Sequence, residues 1–127
     1  MSSPPLRRIK TYTASSGYVY QYYFVGQRQA PTAPAEGGEA ATEFIFDVTR
    51  DRHATFAFTV LLPAKALRAW AARHGRTVSE PERYAAAKMR LLRGFDDLGS
   101  ADLRQNLRHF SITEELLEEL LAELGVA

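Results

Sequence analysis

Lys88 is the residue that is hardest to assign to a purely structural role. On a helix that turns about 100° per residue, it falls inside the apolar arc of Tyr84, Leu91 and Phe95. A lysine desolvated there could lose its proton and act as a base or as a Schiff-base nucleophile. We favour the ordinary alternative, in which its methylene stem packs on the aromatic rings and the ammonium group reaches water. No second catalytic group can be placed beside it, so Lys88 is a weak catalytic candidate and we favour a non-enzymatic function.

The three histidines do not have the spacing of a metal site. His53, His74 and His109 lack both the i, i+4 helical arrangement and the carboxylate companions that a zinc site requires. His74 would stand in the last turn of a helix, where an imidazole favours the negative end of the dipole. We therefore expect no metal ligands, with His53 and His109 in turns or at element boundaries.

The residue spacing does not support two further kinds of ligand site. Asp96, Asp97 and Asp102 could suggest calcium, but their spacing is not that of an EF-hand loop, and a helix exit followed by a new N-cap explains them better. The pair Gly37 and Gly38 stands alone, and neither G-x-G-x-x-G nor G-x-x-x-x-G-K-[ST] occurs. We expect no cofactor.

A basic, aromatic N-terminal hairpin raises the possibility of nucleic-acid binding. Sheets that bind single strands stack bases on exposed aromatic rings and hold phosphates with neighbouring cations. The candidate residues are Arg7, Arg8, Lys10, Arg50 and Arg52. The formal net charge is only +1 and no RNP-type run is present, so this function is an alternative and not our preferred one.

The second face of the predicted sheet suggests a third possibility. If the helices cover only one face, Val19, Tyr23, Val25 and Ile45 would be exposed on the other. Such an apolar patch favours a partner protein, and a second copy of the chain is the simplest one because symmetric dimers are the commonest oligomers. The competing interpretation is that a helix wraps round and covers this face.

Composition indicates a single globular domain over residues 1–127. Hydrophobic residues make up 46% of the chain and charged residues 24%, ordinary proportions for a protein with one core. The chain contains no cysteine, which excludes disulfides, thiolate metal sites and cysteine nucleophiles. No secretion signal and no membrane-length apolar run are visible, so we expect a cytoplasmic protein without a membrane partner.

Charge is distributed unevenly along the chain. Residues 64–95 carry eight bases against two acids, and residues 112–127 carry five glutamates and no base. The acidic C-terminal helix could lie on the basic middle of its own chain or of a neighbour, or these charges could simply face solvent. The sequence leaves the choice open.

Period-two alternation places the strands in the first half of the chain. Strands are predicted over 6–14, 18–25, 43–50 and 54–62, as two hairpins in an antiparallel sheet. Residues 26–42 are rich in Ala, Pro and Gly without any period, which predicts a mobile loop. Helices are predicted over 64–74, 80–95 and 112–124, whereas residues 101–110 are ambiguous.

Two S-x-x-E sequences resemble capping boxes, in which a Ser oxygen and a Glu side chain satisfy backbone donors at a helix start. Ser79 and Glu82 would open the second helix, and Ser111 and Glu114 the third. The sequence as a whole predicts an α+β fold: a four-stranded antiparallel sheet followed by about three helices packed mainly on one face. We expect a protein-interaction or assembly module that forms a homodimer or binds another protein.

Overall fold

The structure is a computed structural model that describes residues 8–31, 40–105 and 107–126. Within those ranges the chain forms five strands and three helices. In chain order they are β1 (Lys10–Thr13), β2 (Val19–Pro31), β3 (Ala40–Arg50), β4 (Thr55–Pro63), α1 (Ala64–His74), α2 (Glu80–Leu98), β5 (His109–Ser111) and α3 (Glu114–Glu123). The α+β prediction is confirmed, and the predicted helices lie within three residues of the observed ones.

The strands form one sheet in the order β1-β2-β3-β4-β5. The first four strands pair antiparallel through two successive hairpins, as the alternation predicts. β5 pairs parallel to β4, with His109 opposite Thr59. A parallel neighbour requires a crossover, which α1 and α2 supply. The fifth strand was not predicted, because three residues are too few to show an alternating pattern.

The predicted mobile loop over 26–42 requires correction. β2 and β3 continue to pair beyond residue 25, from Gly26 opposite Ile45 to Pro31 opposite Ala40. The outer part of this hairpin consists mainly of Gly, Gln, Ala and Thr. These side chains give no hydrophobic alternation, so the sequence shows no strand pattern there. Residues 32–39 of the predicted loop lie outside the described residues.

Phe95 of α2 is the centre of the core. Its ring stacks on Tyr20 at a centroid distance of 4.1 Å and lies 5.7 Å from Phe58 and 5.8 Å from Tyr22. These three partners belong to the inward faces of β2 and β4. Aromatic pairs at such distances stabilise the fold beyond their buried area, by about 0.5–1.5 kcal/mol each. Phe95 thereby fixes the position of α2 on the sheet.

The two predicted capping boxes have different outcomes. At α2 the Oγ of Ser79 accepts a hydrogen bond from the N–H of Glu82 at 3.3 Å, and the Ser79 N–H donates to the Glu82 carboxylate at 2.8 Å. That box is confirmed. At α3 the predicted box is wrong, since the N-cap is Thr113, whose hydroxyl accepts from the N–H of Leu116 at 3.2 Å. Ser111 belongs to β5, and backbone pairing with β4 takes precedence over capping there.

The acidic helix α3 packs on the basic middle of its own chain. Glu118 lies within 2.8 Å of His74 and 3.4 Å of Arg73 at the end of α1. Arg93 of α2 pairs with Glu119 and with Glu123. The acidic side chains of α3 therefore pair with basic side chains of α1 and α2 in the same chain, and these pairs help to hold α3 in place.

Candidate interaction surface

The sheet has one face covered by helices and one face that the described helices do not cover. Inward side chains such as Phe46, Val48 and Phe58 are fully buried and share one core cluster with the helices. The residues between them point the opposite way and do not belong to that cluster. We call this second surface the open face. It comprises Ile9, Thr11, Val19, Gln21, Tyr23, Val25, Glu43, Ile45, Asp47, Thr49, Thr55, Ala57, Thr59 and Leu61.

All four residues predicted for the interaction surface fall on the open face. Val19 and Val25 are 38% and 42% exposed, which is high for large apolar side chains within a sheet. Tyr23 and Ile45 are half-buried near the middle of the sheet, on β2 and β3. The structure thus brings together side chains that are up to 26 positions apart in the sequence.

Sequence reasoning missed Ile9, the most exposed large hydrophobic residue of the described chain at 62%. It lies just before β1 and lines a shallow hollow of the open face with Tyr23 and Asp47. The pairing of β1 with β2 shows why Ile9 belongs to the open face. Thr11 opposite Gln21 puts Ile9 on the same side as Tyr23.

A β-bulge shapes the centre of the open face. The register shifts between Phe24, opposite Phe46, and Gly26, opposite Ile45. A side chain at Gly26 would meet nothing within 4 Å, so the space beside Ile45 is open. Bulges of this kind increase twist and redirect neighbouring side chains. Here the bulge leaves Val25 and Ile45 accessible together.

The acids of the open face are partnered. The hydroxyl of Tyr23 donates to Asp47 at 2.8 Å, and Arg28 pairs with Glu43 at 2.7 Å. Carboxylates that already accept hydrogen bonds cost less to bring into an interface than free ones. The central strands therefore present apolar groups alongside satisfied polar ones.

The described residues proposed for nucleic-acid binding lie on or just before β1 and at or just after the end of β3. Arg8 and Lys10 are exposed at β1, Arg52 lies in the turn after β3, and Arg7 is outside the described residues. Arg50 lies over the ring of Tyr18 at 4.4 Å and donates to the carbonyl of Ala101 at 2.8 Å. The hairpin aromatics belong largely to the inward face, where they line the core and not a binding groove.

Lys88 and the histidines are dispersed. Lys88 is half-buried on α2, with no ion pair or hydrogen bond to another residue of the described chain. The His74 ring stacks on Trp70 at 4.2 Å, and His109 Nδ1 lies 2.6 Å from the Thr59 hydroxyl. His53 is exposed in the turn after β3. Across residues 8–31, 40–105 and 107–126, no group of three potential ligands is placed to hold a metal ion.

The predicted calcium candidates have other contacts. Asp96 accepts hydrogen bonds from the Tyr12 hydroxyl and the Ser15 N–H, each at 2.8 Å. Asp102 accepts from the backbone and the guanidinium of Arg104. The predicted helix exit agrees with the end of α2 at Leu98, but the predicted new N-cap is wrong, since the next element after Asp102 is β5 and not a helix.

Comparison with known proteins supplies no assignment. No family model, curated protein or solved structure matches the chain. Among the described helices, none is long and apolar enough to cross a membrane.

Proposed function

We propose that this protein is a self-associating interaction module whose open face packs against the open face of a second copy. The observation that carries the proposal is the uneven covering of the sheet. All the described helices lie against one face, whereas the opposite face presents Ile9, Val19 and Val25 to solvent. Apolar patches of this kind on a small protein mark interaction sites.

The size of the open face suits a dimer. With strands about 4.8 Å apart and about 3.3 Å per residue, the five strands cover roughly 600 Å² in projection. A corrugated surface has a larger accessible area than its projection. A standard stable interface buries about 800 Å² per partner, so a dimer of that class would use essentially the whole of this face.

Face-to-face packing also agrees with the pattern of polar groups. Two sheets that pack in this way align their strands within about 30°, with the inner side chains interdigitating. A two-fold axis near Ile45 of the central strand β3 would place this residue against the same residue of the second copy. Asp47 and Glu43 enter that contact already partnered by Tyr23 and Arg28. Glu43 brings its counter-charge with it, and the Asp47 carboxylate keeps the Tyr23 hydroxyl as its hydrogen-bond donor.

Light scattering across a concentration series tests the proposal, with Ile45→Lys as the disrupting variant. The new ammonium group would stand beside Glu43 and Asp47 on the same face, so the folded monomer tolerates it. In a dimer, two such groups would face each other near the axis without hydration. We expect the wild-type mass to approach that of a dimer and the variant to stay monomeric with unchanged circular dichroism.

Leu124→Lys is the matched control. Leu124 is also a large hydrophobic residue, 39% exposed, but it caps α3 on the opposite side of the molecule. This variant should dimerise as the wild type does. A wild-type protein that remains monomeric up to its solubility limit, or an Ile45→Lys protein that still dimerises, would refute the proposal.

A further inference from the structure

A cleft of about 480 Å³ lies at one end of the sheet, between the turn after β3 and the loop that follows α2. It is separate from the centre of the open face. Its lining residues are Arg50, His53, Ala54, Phe56, Asp102, Leu103 and Arg104. Clefts of about 300–1,000 Å³ are typical of small-molecule sites.

The floor of the cleft is mainly apolar. Phe56 is half-buried on the inward face of β4, and Leu103 is buried although it belongs to an irregular loop. A buried leucine fixes that loop to the end of the sheet. Most of the exposed surface of the lining is carbon.

The rim of the cleft is cationic and partly pre-organised. The Arg50 guanidinium is held by Tyr18 at 4.4 Å and by the carbonyl of Ala101 at 2.8 Å, which leaves further N–H donors available. The second cation of the lining is Arg104, whose side chain is exposed.

Asp102 is the one acid among the described residues that line the cleft, and it is neutralised locally. Its carboxylate accepts hydrogen bonds from the N–H, Nε and Nη2 of Arg104, at 2.9–3.2 Å. The hydrogen bond from the Arg104 side chain is the main reason that the pKa of Asp102 falls to about 2. With this pair formed, the remaining formal charge among the lining residues is that of Arg50.

We propose that this cleft binds a small organic anion, with a carboxylate or phosphate on an aromatic or aliphatic body. Guanidinium groups bind both kinds of head group through paired N–H donors. The apolar body would lie against Phe56 and Leu103. This site does not depend on dimerisation through the open face.

An NMR titration of the backbone amides tests the proposal with four probes. Phenyl phosphate and benzoate carry both features, inorganic phosphate carries only the charge, and benzyl alcohol carries only the ring. We expect saturable shifts at Ala54, Phe56 and Leu103 with one or both aromatic anions, at least fivefold tighter than with either partial probe. Preference between the two anions identifies the head group.

Two variants with opposite expected effects separate recognition from non-specific adsorption. Arg104 is 81% exposed, so Arg104→Gln should fold normally; it removes a cation and leaves Asp102 unpaired. We expect it to weaken binding about fivefold. Asp102→Asn keeps an acceptor for the Arg104 N–H but removes the negative charge, so it should strengthen binding about threefold.

Lys65→Gln provides the control for a general loss of positive charge. Lys65 is an exposed residue of α1 and does not line this cleft. Its substitution should leave the affinity unchanged. Equal affinities in the wild type, Arg104→Gln and Asp102→Asn, or no saturable shift at the cleft residues with any probe, would overturn the proposal.

Discussion

The ring of Phe110 occupies the space in which a side chain on Gly94 would lie. A Cβ added to Gly94 would stand 2.3 Å from Cζ and 2.4 Å from Cε2 of that ring. Gly94 is a buried residue within α2, and Phe110 is the central residue of β5. The missing side chain allows the short parallel strand to pack against the crossover helix.

Replacing Gly94 by alanine should therefore destabilise the protein, although alanine is the better helix former. The gain in helix propensity is about 1 kcal/mol. Against it stands the displacement of an aromatic ring that also contacts Phe58, at 6.0 Å, and Arg90, at 4.9 Å. We expect a net loss of about 1–3 kcal/mol in the free energy of unfolding, measured by urea denaturation.

Phe110→Leu provides the partner for a double-mutant cycle with Gly94→Ala. A smaller side chain at 110 leaves room for the new methyl group, so the double variant should lose less than the sum of the two single losses. Additive losses, or a stabilised Gly94→Ala protein, would contradict this account of the glycine.

Asp96 joins the N-terminal hairpin to α2. Its two oxygens accept hydrogen bonds from the Tyr12 hydroxyl and the Ser15 N–H, each at 2.8 Å. Asp96→Ala should reduce stability by about 1–2 kcal/mol and speed amide hydrogen exchange in β1 and its turn. Asp97→Ala is the matched control, since the neighbouring carboxylate is exposed and does not contact the hairpin.

The same contact predicts a spectroscopic change. The hydrogen bond to Asp96 is the main cause, ahead of burial, of the raised pKa of Tyr12. Asp96→Ala should therefore lower the Tyr12 pKa towards the ordinary value of 10.0, as followed by ultraviolet difference titration. Because the folded-state pKa is raised, the associated stability is present below about pH 10 and is lost as the phenol ionises in the folded protein. An unchanged Tyr12 titration would contradict the prediction.

Glu82 makes the start of α2 sensitive to acid. The pKa of its carboxyl is lowered from 4.5 to about 2, first by the Arg76 side chain and then by the Ser79 N–H. A lowered folded-state pKa gives stability that is fully present above the unfolded value and is lost as pH falls towards 2. The wild type should be more stable than Glu82→Gln near neutral pH, and this difference in stability should disappear between about pH 5 and pH 2.

Thermal denaturation across that pH range provides the measurement. Glu80→Gln is the control, because Glu80 lies in the same first turn but is not part of the Ser79 box. The difference in melting temperature between wild type and Glu82→Gln should shrink on acidification. A difference that is constant with pH would show that this carboxylate contributes nothing through ionisation.

Alternation and capping chemistry were sufficient to predict most of the fold. Phe44, Phe46 and Val48 identified the inward face of β3, and Ser79 with Glu82 identified the start of α2. Local patterns could not show β5, because its existence depends on a long-range pairing between His109 and Thr59. They also misplaced the cap of α3, since Ser111 takes part in that pairing and not in capping.

The candidate surfaces were predictable to different degrees. Side chains alternate between the two faces along a strand, so the residues between the inward ones could be assigned to the open face. These include Val19, Tyr23 and Ile45. The cleft depends on a buried residue, Leu103, in a loop without any period, and on that loop lying near Phe56 of β4. Such meetings of distant residues are set by tertiary packing and leave no local signature.

Glu118 joins α3 to the end of α1. Its carboxylate lies 2.8 Å from Nε2 of His74, whose ring stacks on Trp70, and 3.4 Å from Arg73. These groups are partly exposed, and such pairs contribute below about 1 kcal/mol and weaken with salt. Glu118→Gln should therefore lower the free energy of unfolding slightly in low salt and have less effect in high salt. Glu115→Gln, on the exposed side of the same helical turn, should have no salt-dependent effect. If both variants respond alike, the contribution comes from the general charge of α3 and not from the contact between Glu118 and His74.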